Sequence, residues 1–508
     1  MNKVLSIYFL LTIIIFNVNA QNPVFLGTEN LDRSVILNGD TLDLPFAMSR
    51  EKRLLPEDIL NKREGWYATG LPELTVDPIR GLTVGANAFL FNNMDRTDPF
   101  YYFTPYRIRY AVGLRVAQNG RVDAELNVDV PFIFNSKWRL RGDFIYANDP
   151  NWQYFGIGSQ TLNNLRYQDK RTGNIVENAR FPGYYDNLAL TRSGRGAEFN
   201  EDPTEIYTDV HFNEVDYSQF LVGLALERTF FEGRMRLMLG AEILVVGIDQ
   251  YDNKTTVEAL DINTGEETGA VQGQTRLTQD FLAGQQGDSN SSWGRYNIGG
   301  YEGGRIGLLQ TGLMWDTRDL EPDPSRGMFI EYAQEISAPW TGSEFTFTKH
   351  LIQGMFYQRV LPATLGRTVF ASRFALGYIR GSNIPFTEVL DLWGASEGGG
   401  IPVLGGARAL RGYREGRFAG MVTALANVEL RSRFYQATVL NQHMAFSAVP
   451  FLDAGRVYDS FSDMSLDNIK VNPGIGLRLA WNQATILRMD YARSAEDAQF
   501  FFVFGHTF

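Results

Sequence analysis

The sequence predicts an all-β protein: a transmembrane antiparallel β-barrel of sixteen strands behind a short N-terminal periplasmic extension. Three observations lead there. The chain opens with an export signal, its segments alternate apolar and polar residues over roughly 10 to 17 positions, and it ends in an aromatic-rich strand.

The export signal comes first. Lys3 supplies a positive start, Val4 to Phe16 form an apolar run interrupted by Ser6 and Thr12, and Val18-Asn19-Ala20 offers small residues for cleavage before Gln21. The mature chain is expected to begin at Gln21. No cysteine follows, which excludes a lipid anchor. It also excludes disulfide frameworks, zinc ribbons and thiol nucleophiles. No later stretch reaches the about 18 apolar residues of a helical span. The richest, Leu237 to Ile248, is broken by Glu242 and two glycines. With 47 Lys+Arg against 58 Asp+Glu, the net charge is −11, which argues against nucleic acid as a partner.

Period-two alternation fills the rest. Leu487, Met489 and Tyr491 oppose Arg488 and Asp490. Ile475, Leu477, Leu479 and Trp481 share a face opposite Arg478, and Val428 and Leu430 oppose Asn427, Glu429, Arg431 and Arg433. The pattern predicts strands at 79–92, 101–118, 121–134, 137–148, 152–158, 204–231, 234–251, 304–317, 327–338, 345–361, 366–381, 418–434, 443–457, 471–481, 485–494 and 498–508. That is an even number, as a bacterial barrel requires. By parity the breaks at Asn119-Gly120 and Glu232-Gly233 fall on the periplasmic side, and the long insertions 159–203, 252–303 and 382–417 fall outside. At the end, Phe500, Phe502, Phe504, His506 and Phe508 lie on one strand face. This ending, with Phe504 and Phe508, is similar to the C-terminal signal of bacterial outer-membrane barrels, although His506 departs from the usual residue.

The most specific signal lies before the twelfth strand. Gly405-Gly406-Ala407-Arg408-Ala409-Leu410-Arg411-Gly412-Tyr413 is followed by Asn427-Val428-Glu429-Leu430-Arg431. Further on stand Phe451, Asp453 and Gly455 in a Phe-x-Asp-x-Gly strand. Upstream, Asp316, Thr317, Arg318, Asp319, Pro324 and Gly327 form a turn pattern, and Gly474 to Arg478 with Asp490 resemble the last strands. On these residues, covering roughly 79–508, the chain resembles the BamA/TamA superfamily of outer-membrane assembly and secretion barrels, also called the bacterial surface antigen family. The resemblance implies that Arg411, Gly412 and Tyr413 form the motif of the sixth extracellular loop, folded into the lumen. It also implies that Arg411 pairs with Glu429 and Asp453, since a partly desolvated guanidinium needs carboxylate partners. Gly412 would let the backbone turn closely beside the wall.

Relatives that fold or secrete proteins carry periplasmic POTRA domains ahead of the barrel. The 58 residues from 21 to 78 are charged, with Arg50-Glu51-Lys52-Arg53 and Lys62-Arg63-Glu64, and offer one helix near Pro56 to Arg63 rather than a POTRA pattern. The sequence thus reads as a POTRA-less member.

No catalytic, cofactor or metal residue is expected. Gly394-Ala395-Ser396-Glu397-Gly398 satisfies Gly-x-Ser-x-Gly, but that motif needs a strand–turn–helix setting and this copy sits in a glycine-rich loop. The histidines, at 211, 350, 443 and 506, lack ligand spacing. Two function classes follow from the resemblance and the barrel. One is an accessory or specialised factor in outer-membrane protein insertion or translocation, working with partners that replace the POTRA domains. The other is a passive pore or surface-loop scaffold. Loop 252–303 carries eight acidic residues against three basic ones, a net of −5, which suits partners or divalent ions outside the cell. The expected surroundings are outer-membrane lipid.

Overall fold

The computed structural model describes residues 31–77, 79–168, 175–186, 205–208, 212–251, 256–261, 267–272, 275–289, 291–361, 367–395 and 399–508. The cleavage site at Ala20, Ser396, and Asp252, Lys254 and Glu266 of the acidic loop lie outside the described residues.

A hairpin, β1 (Leu31–Leu37) and β2 (Asp40–Ser49), and a short helix, α1 (Pro56–Asn61), precede the barrel. The barrel strands are β3 (Trp66–Asp77), β4 (Gly81–Asn92), β5 (Ile108–Ala117), β6 (Val122–Val130), β7 (Trp138–Gln153) and β8 (Glu214–Phe230). They continue as β9 (Met235–Gln250), β10 (Gly303–Asp316), β11 (Gly327–Ser337), β12 (Thr346–Arg359) and β13 (Thr368–Pro385). The last are β14 (Val422–Val439), β15 (Gln442–Tyr458), β16 (Lys470–Trp481), β17 (Thr485–Arg493) and β18 (Ala498–Phe504). These sixteen strands form one antiparallel, nearly closed ring in chain order.

Alternation sends one side chain of each pair to lipid and the next inward. Phe220, Val222, Leu224 and Leu226 of β8 and Leu237, Leu239, Ile243 and Val245 of β9 form part of the exposed apolar band. Inward residues such as Gln310, Glu331 and Arg373 are buried. The lumen is packed rather than watery: Val403, Leu404, Leu410 and Phe418 of the loop after β13 are fully buried against the walls.

The structure corrects several boundaries. Residues 66–77, read as part of the periplasmic extension, are the first barrel strand, so the barrel begins at Trp66 and not at 79. Pro72 and Gly70 masked it, and a proline is tolerated there because β3 is the first strand of the ring, with one edge facing the closure. The predicted strand 137–148 and the first two residues of 152–158 belong to one strand, β7, and residues 154–158 are not strand. Pro150, which suggested a break, sits where the register with β8 shifts, at a bulge. These two differences cancel in the count but move the parity. Asn119-Gly120 therefore lies on the outer rim: Asn119 N–H donates to Arg80 O of the β3–β4 turn, and its side chain meets Asn151 at the top of β7. Glu232-Gly233 stays on the periplasmic rim, against Met48.

The ending differs too. β18 stops at Phe504, Gly505 takes φ +82°, and His506, Thr507 and Phe508 turn into the lumen. Phe500 remains on the lipid face at 64% exposure, whereas Phe508 is 3% exposed. Phe508 is therefore not on the strand face that the alternation predicts.

Candidate functional site

The loop between β13 and β14 is the sixth on the outer rim, and it descends into the barrel. The wall facing it is built by β14, β15 and β17, whose alternation aims Glu429, Asp453 and Asp490 inward, each fully buried. Arg411 reaches all three. Its Nε and Nη2 donate to the two oxygens of Asp453 at 2.9 and 2.7 Å, a bidentate fork. Its Nη1 donates to Glu429 Oε1 at 2.7 Å, Asp490 Oδ2 at 2.9 Å and Thr507 Oγ1 at 3.0 Å. The Arg411 backbone N–H adds a 3.2 Å bond to Asp453, and the Phe451 ring lies 3.3 Å beneath the guanidinium. Burial works against the charge, but Asp453, Glu429 and Asp490 outweigh it and hold the group above the ordinary arginine range.

The carboxylates have further partners. Glu429 accepts from Arg431 at 2.9 Å and Arg478 at 3.3 Å, and Asp490 from Arg478 at 2.5 Å and Arg488 at 3.3 Å. Asp453 has only the neutral amides of Asn427 and Asn472 besides Arg411. Gly412 is not left-handed. It is required by space, because a Cβ there would stand 2.6 Å from the Asn472 Cβ. Tyr413 is buried edge-on against Phe418 at 5.1 Å. Gly455 admits Leu404 of the loop, whose Cδ2 would lie 2.9 Å from an added Cβ.

The inturned tail joins this cluster. Thr507 Oγ1 bonds Arg411 and Arg488, Thr507 O accepts from Arg373 at 3.2 Å, and Phe508 O accepts from Arg431 at 2.9 Å. His506 Nε2 meets Asp323 at 3.3 Å. Burial, with Arg431 nearby, pushes the histidine down to about 4, so the ring is neutral and donates.

At the periplasmic turn 317–326, Asp316 accepts from the Arg318 backbone N–H at 3.0 Å and its Nε at 3.1 Å. Asp319 caps the backbone N–H groups of Leu320 and Ser325 at 3.0 and 2.9 Å. Gly327, at φ +101°, closes the turn where a side chain would strike Thr317 O. Arg318 stacks 4.4 Å over Phe329.

With this geometry in place, residues 249–508 match the Omp85 superfamily domain. The chain belongs to the Omp85 superfamily. It is an Omp85 barrel of the outer membrane, the family to which the loop-six motif pointed. Residues 44–107 match a domain of unknown function, DUF5982. Among solved structures the Omp85 chain is similar to BamA from Haemophilus ducreyi lacking POTRA domains 1–3. The identity is 12%, with 87% of this chain and 70% of that one covered and a TM-score of 0.44. It is also similar to CdiB from Escherichia coli, at 11% identity, 87% and 62% coverage and a TM-score of 0.44. CdiB from Acinetobacter baumannii matches at 10% identity, 87% and 60% coverage and a TM-score of 0.38. The chain thus spans less than two thirds of either CdiB. No curated protein sequence matches it.

The structure brings Arg411, Glu429, Asp453, Phe451 and Gly455 together, and sets Asp316, Arg318, Asp319 and Gly327 apart at the opposite rim. Sequence reasoning missed Asp490 as a third acceptor, although its place on the charged face of β17 was a usable signal. It also missed a second anchor of reversed sign. There Lys349 of β12 meets loop residues Glu388 at 2.5 Å and Asp391 at 3.2 Å, and wall residue Glu335 at 3.3 Å. These carboxylates stand close enough to share a metal ion, and the ammonium fills that role. Asp280 of the acidic loop is turned inward to the Tyr154 hydroxyl at 2.9 Å, so it adds no open charge outside.

Proposed function

We propose that this Omp85 barrel is an accessory or specialised factor in outer-membrane protein insertion or translocation, exported by a signal cleaved after Ala20 and working with protein partners. The observation that carries the reading is the closed lumen. Loop six fills it from outside with Leu404, Leu410 and a fully buried Arg411, and an N-terminal segment crosses the periplasmic mouth. A passive pore needs a continuous wet path, which this packing removes. Family membership favours handling of protein clients. The remaining route past the wall is the junction of β18 with β3, where seven residues face twelve. Its cross-contacts include Thr69 to Thr485 at 2.5 Å and Phe89 to Phe504 at 5.2 Å.

A photoreactive residue in place of Phe500, on the lipid face of β18, tests this in cells. Capture of strands from another outer-membrane protein is the expected result. Capture of lipid alone, with no protein adduct, would count against client handling.

A further inference from the structure

Residues 49–62 run across the periplasmic opening and touch turns on opposite sides of the ring. Arg234 of the β8–β9 turn donates to Ser49 Oγ at 3.1 Å and pairs with Glu51 at 3.3 Å. Lys52 Nζ donates to Arg318 O at 3.0 Å and pairs with Asp316 at 3.3 Å, at the β10–β11 turn. Glu57 and Asp58 meet Arg359 and Arg367, which flank the β12–β13 turn, Asp58 at 3.5 Å. Gln483, between β16 and β17, donates to Asp58 O at 2.7 Å. Lys62 Nζ then donates to Tyr101 O at 2.5 Å and Thr104 O at 2.7 Å, between β4 and β5.

In a ring of sixteen, the β4–β5 and β12–β13 turns are eight strands apart, and so are the β8–β9 and β16–β17 turns. One fourteen-residue segment thus touches turns from opposite sides of the mouth, and the β4–β5 loop meets it at both Leu54 and Lys62. Beside it lies a small cavity lined by Met48, Lys52, Arg139, Thr229, Arg236 and Glu321.

The chemistry of the segment differs from that of its mooring. The hairpin is fixed by apolar burial: Val35, Leu44 and Met48 pack on Phe100 to Phe103, with Phe46 and Phe132 against them. Residues 49–62 hold the far rim through ion pairs and hydrogen bonds, while Ile59 packs back onto the mooring cluster and the buried Leu54 donates its N–H to Tyr102 O at 2.9 Å. Such contacts contribute little net energy over hydration, whereas apolar contact resists separation. A greasy mooring and a polar latch are the parts of a displaceable closure.

We propose that residues 49–62 are a strap that gates the periplasmic mouth, and that its release exposes the inner wall at that mouth to the periplasm while the barrel stays folded and loop six stays in place. The inference holds for insertion and translocation alike. It also predicts where a periplasmic partner acts: on the rim pairs of Lys52, Glu57 and Asp58, by supplying charges that replace them.

Because the chain has no cysteine, Thr229→Cys places a single thiol behind the strap, at a position 7% exposed. A protease site inserted after Glu64 frees one end of the strap after folding, so each variant is compared with itself before and after cleavage. In detergent, a polymer-linked maleimide should react at least tenfold faster after cleavage in protein also carrying Lys52→Ala and Lys62→Ala than in the uncut Thr229→Cys protein. Heat-modifiable gel mobility reports that the barrel is intact. Equal labelling rates in the uncut, cut and lysine-substituted proteins would overturn the proposal. So would fast labelling of the uncut protein.

Discussion

Replacing Arg411 with alanine removes one cation from three buried carboxylates, but the loss does not fall evenly. Glu429 keeps Arg431 and Arg478, and Asp490 keeps Arg478 and Arg488. Asp453 keeps only two amides. The cost is therefore that of one orphaned buried charge, about 3–5 kcal/mol, with about 2 kcal/mol from the lost stack on Phe451 as part of it. Arg411 and its three carboxylates are fully buried, so bulk solvent does little to soften this. R411A should fold, melt earlier in detergent, and lose protease resistance in loop six. The double variant R411A with Asp453→Asn should recover at least half of the loss, because the orphaned charge is gone. Arg411→Lys should fall between wild type and R411A, since its ammonium still offsets the Asp453 charge but cannot reproduce the bidentate fork. Thermal melting and limited proteolysis of the three variants check this. A double variant less stable than R411A would refute the assignment of the cost to Asp453, and an R411A barrel with unchanged loop protection would refute the lock itself.

The remaining predictions concern other sites. Lys349→Met leaves Glu335, Glu388 and Asp391 without their cation. It should cost about 3–5 kcal/mol and expose the loop first near 386–395, as mapped by proteolysis with mass spectrometry. Burial pushes the Asp58 carboxyl from 3.8 up to about 6, since its tie to Arg367 is long and shared with Asp323. The folded pKa lies above the unfolded one, so this carboxyl's contribution falls as pH rises from about 4 to 6 and stays low above that, by at most about 3 kcal/mol. Asp58→Asn should flatten this part of the melting profile, and identical wild-type and variant profiles would contradict it. Intact mass of membrane-extracted protein should place the first residue at Gln21; Met1 retained in folded protein would contradict the cleavage.

How much of this was legible depended on whether partners share a local pattern. The barrel and its sixteen strands follow from alternation, which β8, β9 and β16 carry in full. Strands that break alternation for a local reason were misplaced: Gly70 and Pro72 hid β3, Pro150 split β7, and Gly505 turned the tail inward against a run that still alternates. Arg411, Glu429 and Asp453 were readable because a short motif carries them. Asp490 lies 79 positions from Arg411 and becomes a partner only when β17 closes the wall. Lys349 has no motif at all, since its acceptors belong to the opposite strand and to a loop that only tertiary folding brings near. The strap was read as charged and helical in part. Its partners are isolated rim residues on turns spread around the ring, and no linear pattern could assemble them.

We take this Omp85 barrel to serve protein clients in a specialised role and not to act as an open pore. Quantitative mass spectrometry of outer membranes, before and after acute depletion of the protein, tests it most directly. Viable cells, loss of a small set of outer-membrane or surface proteins, and normal levels of most other barrels are expected. An unchanged outer-membrane proteome with altered solute permeability would contradict it in favour of a pore, and lethal, general loss of barrels would contradict the specialised role.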